Sequence, residues 1–464
     1  MRQRAPLVKR RRLNANVTLA SGAVHGYPIL MRNGGPPESW KVIPLDPNPV
    51  LVHTSPDPAG VFHANPSLLA LSSGRLLAAI HLHGPGLVKQ AGAKGHQFRL
   101  NHLLLGKIFS SNDKGETWQF RSDFPFAFAR LFRDGESVYA LGHKGNLQMI
   151  RSQDGGNSWN KPESLTPEDD SGGLFVQGPG NVLAHEGFLY AAFMKTRPGA
   201  FKGWPGSRLI PVVLRARLGS NLQSAKSWSF STPEQSFADW FPRTAYEGFG
   251  IPFFPTPSED KPDPIGGGRF ANRIGWDDAH VLPLPPPPHH WHDPSALLLV
   301  CRTGLHRSNL AAVLKIKLLP DSPPILEPLP TPSGVPWSLI PWPGGNQKFD
   351  VCYDDTNGLY WSVGNRMTDS MTLPARLPAK RLSLPADEAG GLDLHFSRNL
   401  VDWSFAGLIE QPASPALFRT GAALAIKGLD LHVVARGGDE SCRKLPETNL
   451  IMSYRIPEFR ALAY

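Results

Sequence analysis

Cysteine is scarce: three residues, Cys301, Cys352 and Cys442, stand far apart and odd in number. That spacing excludes a disulfide framework and a cysteine metal cluster. Cys301 in ALLLVCRTG and Cys352 in KFDVCYD read as small core residues of strands, and a reducing compartment fits. No apolar run reaches the ~18 residues of a membrane-spanning helix, so no membrane span is expected. LNANVTLASGAVHGYP, after the basic start, is too polar for a secretory signal, which leaves a cytoplasmic location as the default. Acid is missing from residues 1–37, which hold seven of the 48 Lys and Arg. The rest carries 41 basic against 39 acidic residues. So balanced a body leaves no footprint for nucleic acid. KRRR, Lys9–Arg12, reads as part of a solvated terminus; residues 1–26 are expected to form a basic tail and 27–464 a single domain. P-loop, dinucleotide fingerprint and nucleophile elbow are absent. HHWH, His289–His292, reads as surface histidines of a Pro-rich turn. Neither cofactor nor metal is implied, and a monomer is expected.

Proline (47) and glycine (45) are plentiful, while 41% of the chain stays hydrophobic. Short apolar runs between Pro and Gly suit strands joined by tight turns. NPSLLALSSGRLLAAIHL, GNVLAHEGFLYAAFM, FDVCYDDTNGLYWSVGN and GAALAIKGLDLHVVAR each place two apolar runs around a turn signal. ESVYALG with NLQMIRS, and DAHVLPL with SALLLVCR, make two more such pairs. Helical periodicity is not sustained over a dozen residues anywhere. Small antiparallel sheets repeating at this period point to a β-propeller, all-β, with six four-stranded blades. Long loops at 84–104, 196–208, 233–272, 319–345 and 367–391 are expected to rise from one face.

One frame occurs twice. SNDKGETW, Ser111–Trp118, returns as SQDGGNSW, Ser152–Trp159. Each copy lies between two apolar runs and reads as a hairpin turn. Asp113 and Asp154 can accept backbone N–H bonds there, Gly115 and Gly156 supply positive φ, and Trp118 and Trp159 bury a ring at the strand base. These aspartates read as turn braces. SRNLVDW, Ser397–Trp403, and SNLQSAKSW, Ser220–Trp228, are eroded copies.

This frame resembles the Asp-box (BNR repeat) of the sialidase, or neuraminidase, superfamily, whose boxes lie between the third and fourth strands of a blade. FSRNLVDWSFAGLI and NLIMSYRIPEFR are similar to the uncharacterised bacterial sialidase-like group. The resemblance implies a six-bladed propeller and, from it, an exo-sialidase-like glycoside hydrolase. Such enzymes bind a sugar carboxylate with three arginines and use a tyrosine–glutamate pair and an acid/base aspartate. Here the first arginine place falls on Ala64, the loop after the first hairpin holds no acid, and no tyrosine opens the last blade. YRIP, Tyr454–Pro457, reads as chance or as part of the strand that closes the ring. Asp278 takes the glutamate place and Arg302 an arginine place, so these two are the catalytic candidates. Substrate-binding candidates are His63, Asn65, Asp277, His280, Lys348, Arg366, Arg419 and Arg436. With the set so changed, the expected partner is a carbohydrate, in particular an acidic glycan, bound by a hydrolase or by a non-catalytic glycan- or protein-binding propeller.

Overall fold

The computed structural model describes residues 43–464 except 65, 98–101, 169–172, 179, 198–207, 242–263, 267–268, 271–274, 304–308, 331–335, 338, 366–389, 413–416 and 443–446. The basic tail, Asn65 and Arg366 therefore lie outside the described residues. Six antiparallel sheets follow one another along the chain as the blades of a propeller. Blade 1 opens on Ser67–Ala70, blade 2 on Ala127–Asp134, blade 4 on Trp276–Pro283, blade 5 on Asp350–Asp354 and blade 6 on Phe418–Lys427. The inner strand of blade 3 is broken into Phe175–Gln177 and Val182–His185. Val50–Thr54 pairs with Leu450–Ile456 as the outer strand of blade 6, so the two ends of the chain close the ring. The YRIP tyrosine belongs to that closing sheet.

Alternation explains the packing. In Ala296–Thr303 of blade 4, Leu297, Leu299 and Cys301 face a core shared with blade 3, while Leu298 and Val300 face one shared with blade 5. A strand buried on both faces reads as a continuous apolar run, which is why LLLVC shows no alternation. Each of the six seams holds such a core. Helix is confined, among the described residues, to the single turn Phe237–Trp240 and a few 3-10 turns.

Both octamers join the third strand of a blade to the fourth. Their bonding is the same. Ser111 and Ser152 Oγ accept the N–H of Gly115 and Gly156, each at 2.8 Å. Asp113 and Asp154 accept the N–H of Thr117 and Ser158, each at 2.9 Å, and the hydroxyls of those residues. The indole N–H of Trp118 and Trp159 donates to the carbonyls of Gly115 and Gly156. Ser397–Trp403 keeps the scheme one residue shorter: Leu400, at φ 65°, takes the glycine place and donates to Ser397 Oγ at 2.9 Å. Third strands end on the face opposite the start of the inner strands, so these turns lie away from Asp278. The long loops do not all rise from one face, however. Residues 318–324 follow the third strand of blade 4 and so begin on the turn face.

Candidate functional site

Inner strands converge on the propeller axis, and their opening ends line one narrow pocket to which all six blades contribute. Regular strands would close this space. At the pocket end five of the six are irregular. Blade 1 is interrupted between Phe62–His63 and Ser67–Ala70, and blade 3 between Gln177 and Val182. Blades 2, 4 and 6 shift register between Ala127 and Arg130, Asp277 and Ala279, and Thr420 and Ala423. Each shift places a residue in the left-handed region: Phe128 at φ 52°, Asp278 at 44° and Gly421 at 58°. Glycine adopts this without cost; for Phe128 and Asp278 it is strain held in place by the surroundings. The enclosed depth is about 50 Å³. That admits a few waters or one substituent such as a carboxylate.

The blade 4 bulge sets two adjacent carboxylates against one guanidinium. Asp277 pairs across the strands with Arg302 and accepts a hydrogen bond from its Nη2. Asp278 Oδ2 lies 3.0 Å from Arg302 Nε, as an ion pair without hydrogen-bond alignment. Its Oδ1 lies 3.1 Å from Lys348 Nζ. Lys348 in turn sits over the Phe128 ring, 5.1 Å from its centre. Burial pushes Asp278 upward, but Lys348 and then Arg302 outweigh it and hold this carboxyl below its usual range. Asp277 is raised, by burial first; Arg302 offsets this in part and the neighbouring Asp278 charge adds to it. Two neighbouring carboxyls are thus shifted in opposite directions, Asp277 up and Asp278 down. Lys348 is lowered by burial, with Arg302 and Arg436 opposing its charge and Asp278 favouring it. Arg436 is brought down to about 10, by burial first. Its buried Nε has no hydrogen-bond partner among the described residues.

A third carboxylate was missed from the sequence. Asp350 opens blade 5 and is 1% exposed. It accepts from Arg130 Nη2 of blade 2 at 3.0 Å and from the backbone N–H of Leu424 of blade 6 at 2.8 Å. Its Oδ1 lies 3.0 Å from His280 Nε2 of blade 4. One buried carboxylate therefore ties four blades at the axis. Burial raises it, Arg130 and then His280 outweigh burial, and the net shift is downward. The signal was present in KFDVCYD, where an Asp opens an inner strand, as two do just after the first residue of WDDAHVLP. Arg130 and Phe128, in FAFARLFRD, open blade 2 in the same way.

Asp277, Asp278, His280, Arg302 and Lys348 are thus brought together. His280 stacks on Phe349 at 5.0 Å and fits because residue 180 is glycine: a Cβ there would lie 2.2 Å from its Nε2. Of the other candidates, His63 and Arg419 are engaged elsewhere. His63 is fully buried, its Nε2 2.7 Å from His53 Nδ1. Arg419 turns to Glu410 Oε2 at 2.8 Å and to the carbonyls of Phe418 and Gly438. Tyr454 donates to the same Glu410 carboxylate but is 1% exposed and stands outside the pocket wall. Among the described residues no group of His, Cys, Asp or Glu is arranged to hold a metal. His289 and His290 stack on each other in their turn.

No family model and no curated protein matches the chain. Solved structures do. A Dyadobacter fermentans protein of unknown function is 11% identical, over 89% of this chain and 98% of that one, with a TM-score of 0.50. An α-L-arabinanase of Penicillium chrysogenum in complex with arabinobiose is 14% identical, over 89% and 99%, with a TM-score of 0.47. A Trypanosoma rangeli sialidase mutant displaying trans-sialidase activity is 12% identical over 91% of this chain, with a TM-score of 0.48; the chain spans 59% of its length. At such identities the likeness is one of fold.

Proposed function

We propose that the axial pocket is the site of a carbohydrate-active, sialidase-like propeller that takes an acidic sugar and hydrolyses its glycosidic bond with Asp278 as the ionised base. The octamers are then its Asp-boxes. The observation that supports this most is Asp278 itself. A side chain forced to φ 44°, buried and held between Arg302 and Lys348, is strain kept where chemistry would use it. Arg302 is committed to two carboxylates, so its role is to organise them and not, as the sequence suggested, to grip the ligand. Lys348, on the pocket wall, and Arg436, whose Nε has no hydrogen-bond partner among the described residues, are the cations offered to a sugar carboxylate.

One observation favours the non-catalytic reading. Glycosidases generally need two working carboxyls across the scissile bond, and the second one on this wall, Asp350, already accepts from an arginine and a backbone N–H and lies against a histidine. Among the described residues no tyrosine–glutamate pair lines the pocket, so ordinary sialosides are expected to turn over little or not at all. The test is to titrate wild type and Asp278→Asn with sialic acid, glucuronate and glucose, and to assay both on fluorogenic acidic and neutral glycosides. An enzyme loses turnover in Asp278→Asn and keeps or tightens acidic-sugar binding, because a like charge is gone. A binder shows no turnover in either protein and the same binding preference. Absence of acidic-sugar binding by the wild type would sink both readings.

A further inference from the structure

The frame tryptophans have a second use that reveals a site on the turn face. Each closes the seam with the preceding blade: Trp118 packs against blade 6, Trp159 against blade 1, Trp228 against blade 2 and Trp403 against blade 4. Blade 4 has no such tryptophan, because its third-to-fourth connection is LLPDSPP, residues 318–324. The seam between blades 3 and 4 is closed another way. Arg215 reaches across from blade 3 and donates to the carbonyls of Leu319, Pro320 and Ser322, with its guanidinium 3.8 Å from the Phe188 ring centre. This brace leaves a hollow of about 290 Å³, close to the lower size of small-molecule sites.

The rim is chemically mixed. Arg217 and Lys226 are exposed and enter no ion pair among the described residues. Asp321 is the one acid on the wall, so the hollow is net cationic. Ser229 and Ser322 add hydroxyls, and Phe188 adds an apolar surface. A bare anion would use the cations and leave the hydroxyls and most of the volume idle. We propose that this hollow is a second ligand site, distinct from the axial pocket, for an acidic monosaccharide: its carboxylate between Arg217 and Lys226, its hydroxyls toward the serines. Arg217 ends the third strand of blade 3, so the site lies on the face opposite Asp278.

The Trp228 indole, on the wall of the hollow, gives a local readout in a heteronuclear spectrum; Trp228→Phe assigns its N–H signal. D-glucuronate should shift this signal saturably, and Arg217→Ala with Lys226→Ala should weaken that titration by about tenfold or more, the loss of charge-assisted bonds from exposed positions that leave the fold intact. Lys348→Ala, in the axial pocket, should leave it unchanged. Four results would overturn the proposal: no saturable shift; equal response to glucose, which removes the role of charge; equal response to inorganic sulfate, which reduces the hollow to an anion site; or a titration abolished by Lys348→Ala and indifferent to Arg217 and Lys226. Because the signal is local, failure here is separable from failure of the axial reading.

Discussion

The two ends of the propeller are built on opposite plans. On the turn face the same small frame recurs in blades 1, 2 and, shortened, 5, with bonds of 2.8, 2.8 and 2.9 Å and short-range partners. On the pocket face no two blades contribute alike, and the partners come from far along the chain: Arg130, His280 and Leu424 meet Asp350 across 220, 70 and 74 residues. A repeated local frame holds each blade by itself. The axial network holds blades to one another, and it does so with buried charge, which is expensive unless fully compensated. The difference teaches where loss of a residue should be felt most.

The largest effect is expected at Asp350. Asp350→Ala leaves the Arg130 guanidinium and the Leu424 N–H without a partner at the axis. Breaking a buried pair by removing one member costs about 3–5 kcal/mol. Urea unfolding would measure it, and the slope with denaturant should stay constant if the unfolded state is unchanged. A cost below about 1 kcal/mol, the range of exposed pairs, would show that the axis is not held by this carboxylate. It would also erase the contrast between the two faces.

The fold was legible in the sequence because its signals are local. Hairpin turns between apolar runs gave the sheets, and the octamer period gave the blades. Cys301 was read as core and is 1% exposed. The site was legible only in part. Asp278 was read near the opening of the blade 4 inner strand, Arg302 near the end of its partner strand and Lys348 just before the blade 5 inner strand, and such placement by strand position works where backbone direction is preserved. It does not reveal register shifts, which turn Phe128 and Asp278 into the left-handed region and aim them at the axis. Nor does it say which cations are already spent. Arg419 opens blade 6 as expected, yet Glu410, at the end of the preceding blade, takes its side chain. Asp350 is hidden in the sequence because its partners Arg130, His280 and Leu424 lie 220, 70 and 74 residues away.

An intermediate effect separates two members of one frame. The sequence draws the eye to the aspartate, but Asp154 is exposed while Ser152 is 1% exposed. Ser152→Ala strands the buried Gly156 N–H and should cost about 1–3 kcal/mol. Asp154→Ala frees donors that water can reach and should cost about 1 kcal/mol, as for a helix cap. Thermal unfolding of both variants ranks them, and the reverse order would show that the carboxylate is the true keystone. Neither change should alter ligand titrations at the axis.

The smallest effect compares the two octamers with each other. Lys114 and Gly155 hold equivalent places, at φ 60° and 65°. A side chain in this region is disfavoured by roughly 1–2 kcal/mol, whereas glycine costs roughly 0.5–1 kcal/mol in unfolded-state entropy. These terms oppose, so Lys114→Gly should stabilise by no more than about 1 kcal/mol, and its exposed ammonium, 3.8 Å from Asp430, adds little. Gly155→Ala should lose a similar amount, since a Cβ there meets nothing closer than 3.8 Å. At the next position the balance changes. A Cβ on Gly156 would lie 2.7 Å from the Leu77 side chain in the core between blades 1 and 2. Gly156→Ala must therefore cost clearly more than Gly155→Ala, by steric overlap in addition to the shared backbone term. Melting temperatures of the two alanine variants decide this. Equal losses would mean that Leu77 moves aside freely, and that the second glycine of the frame is kept for its backbone conformation alone.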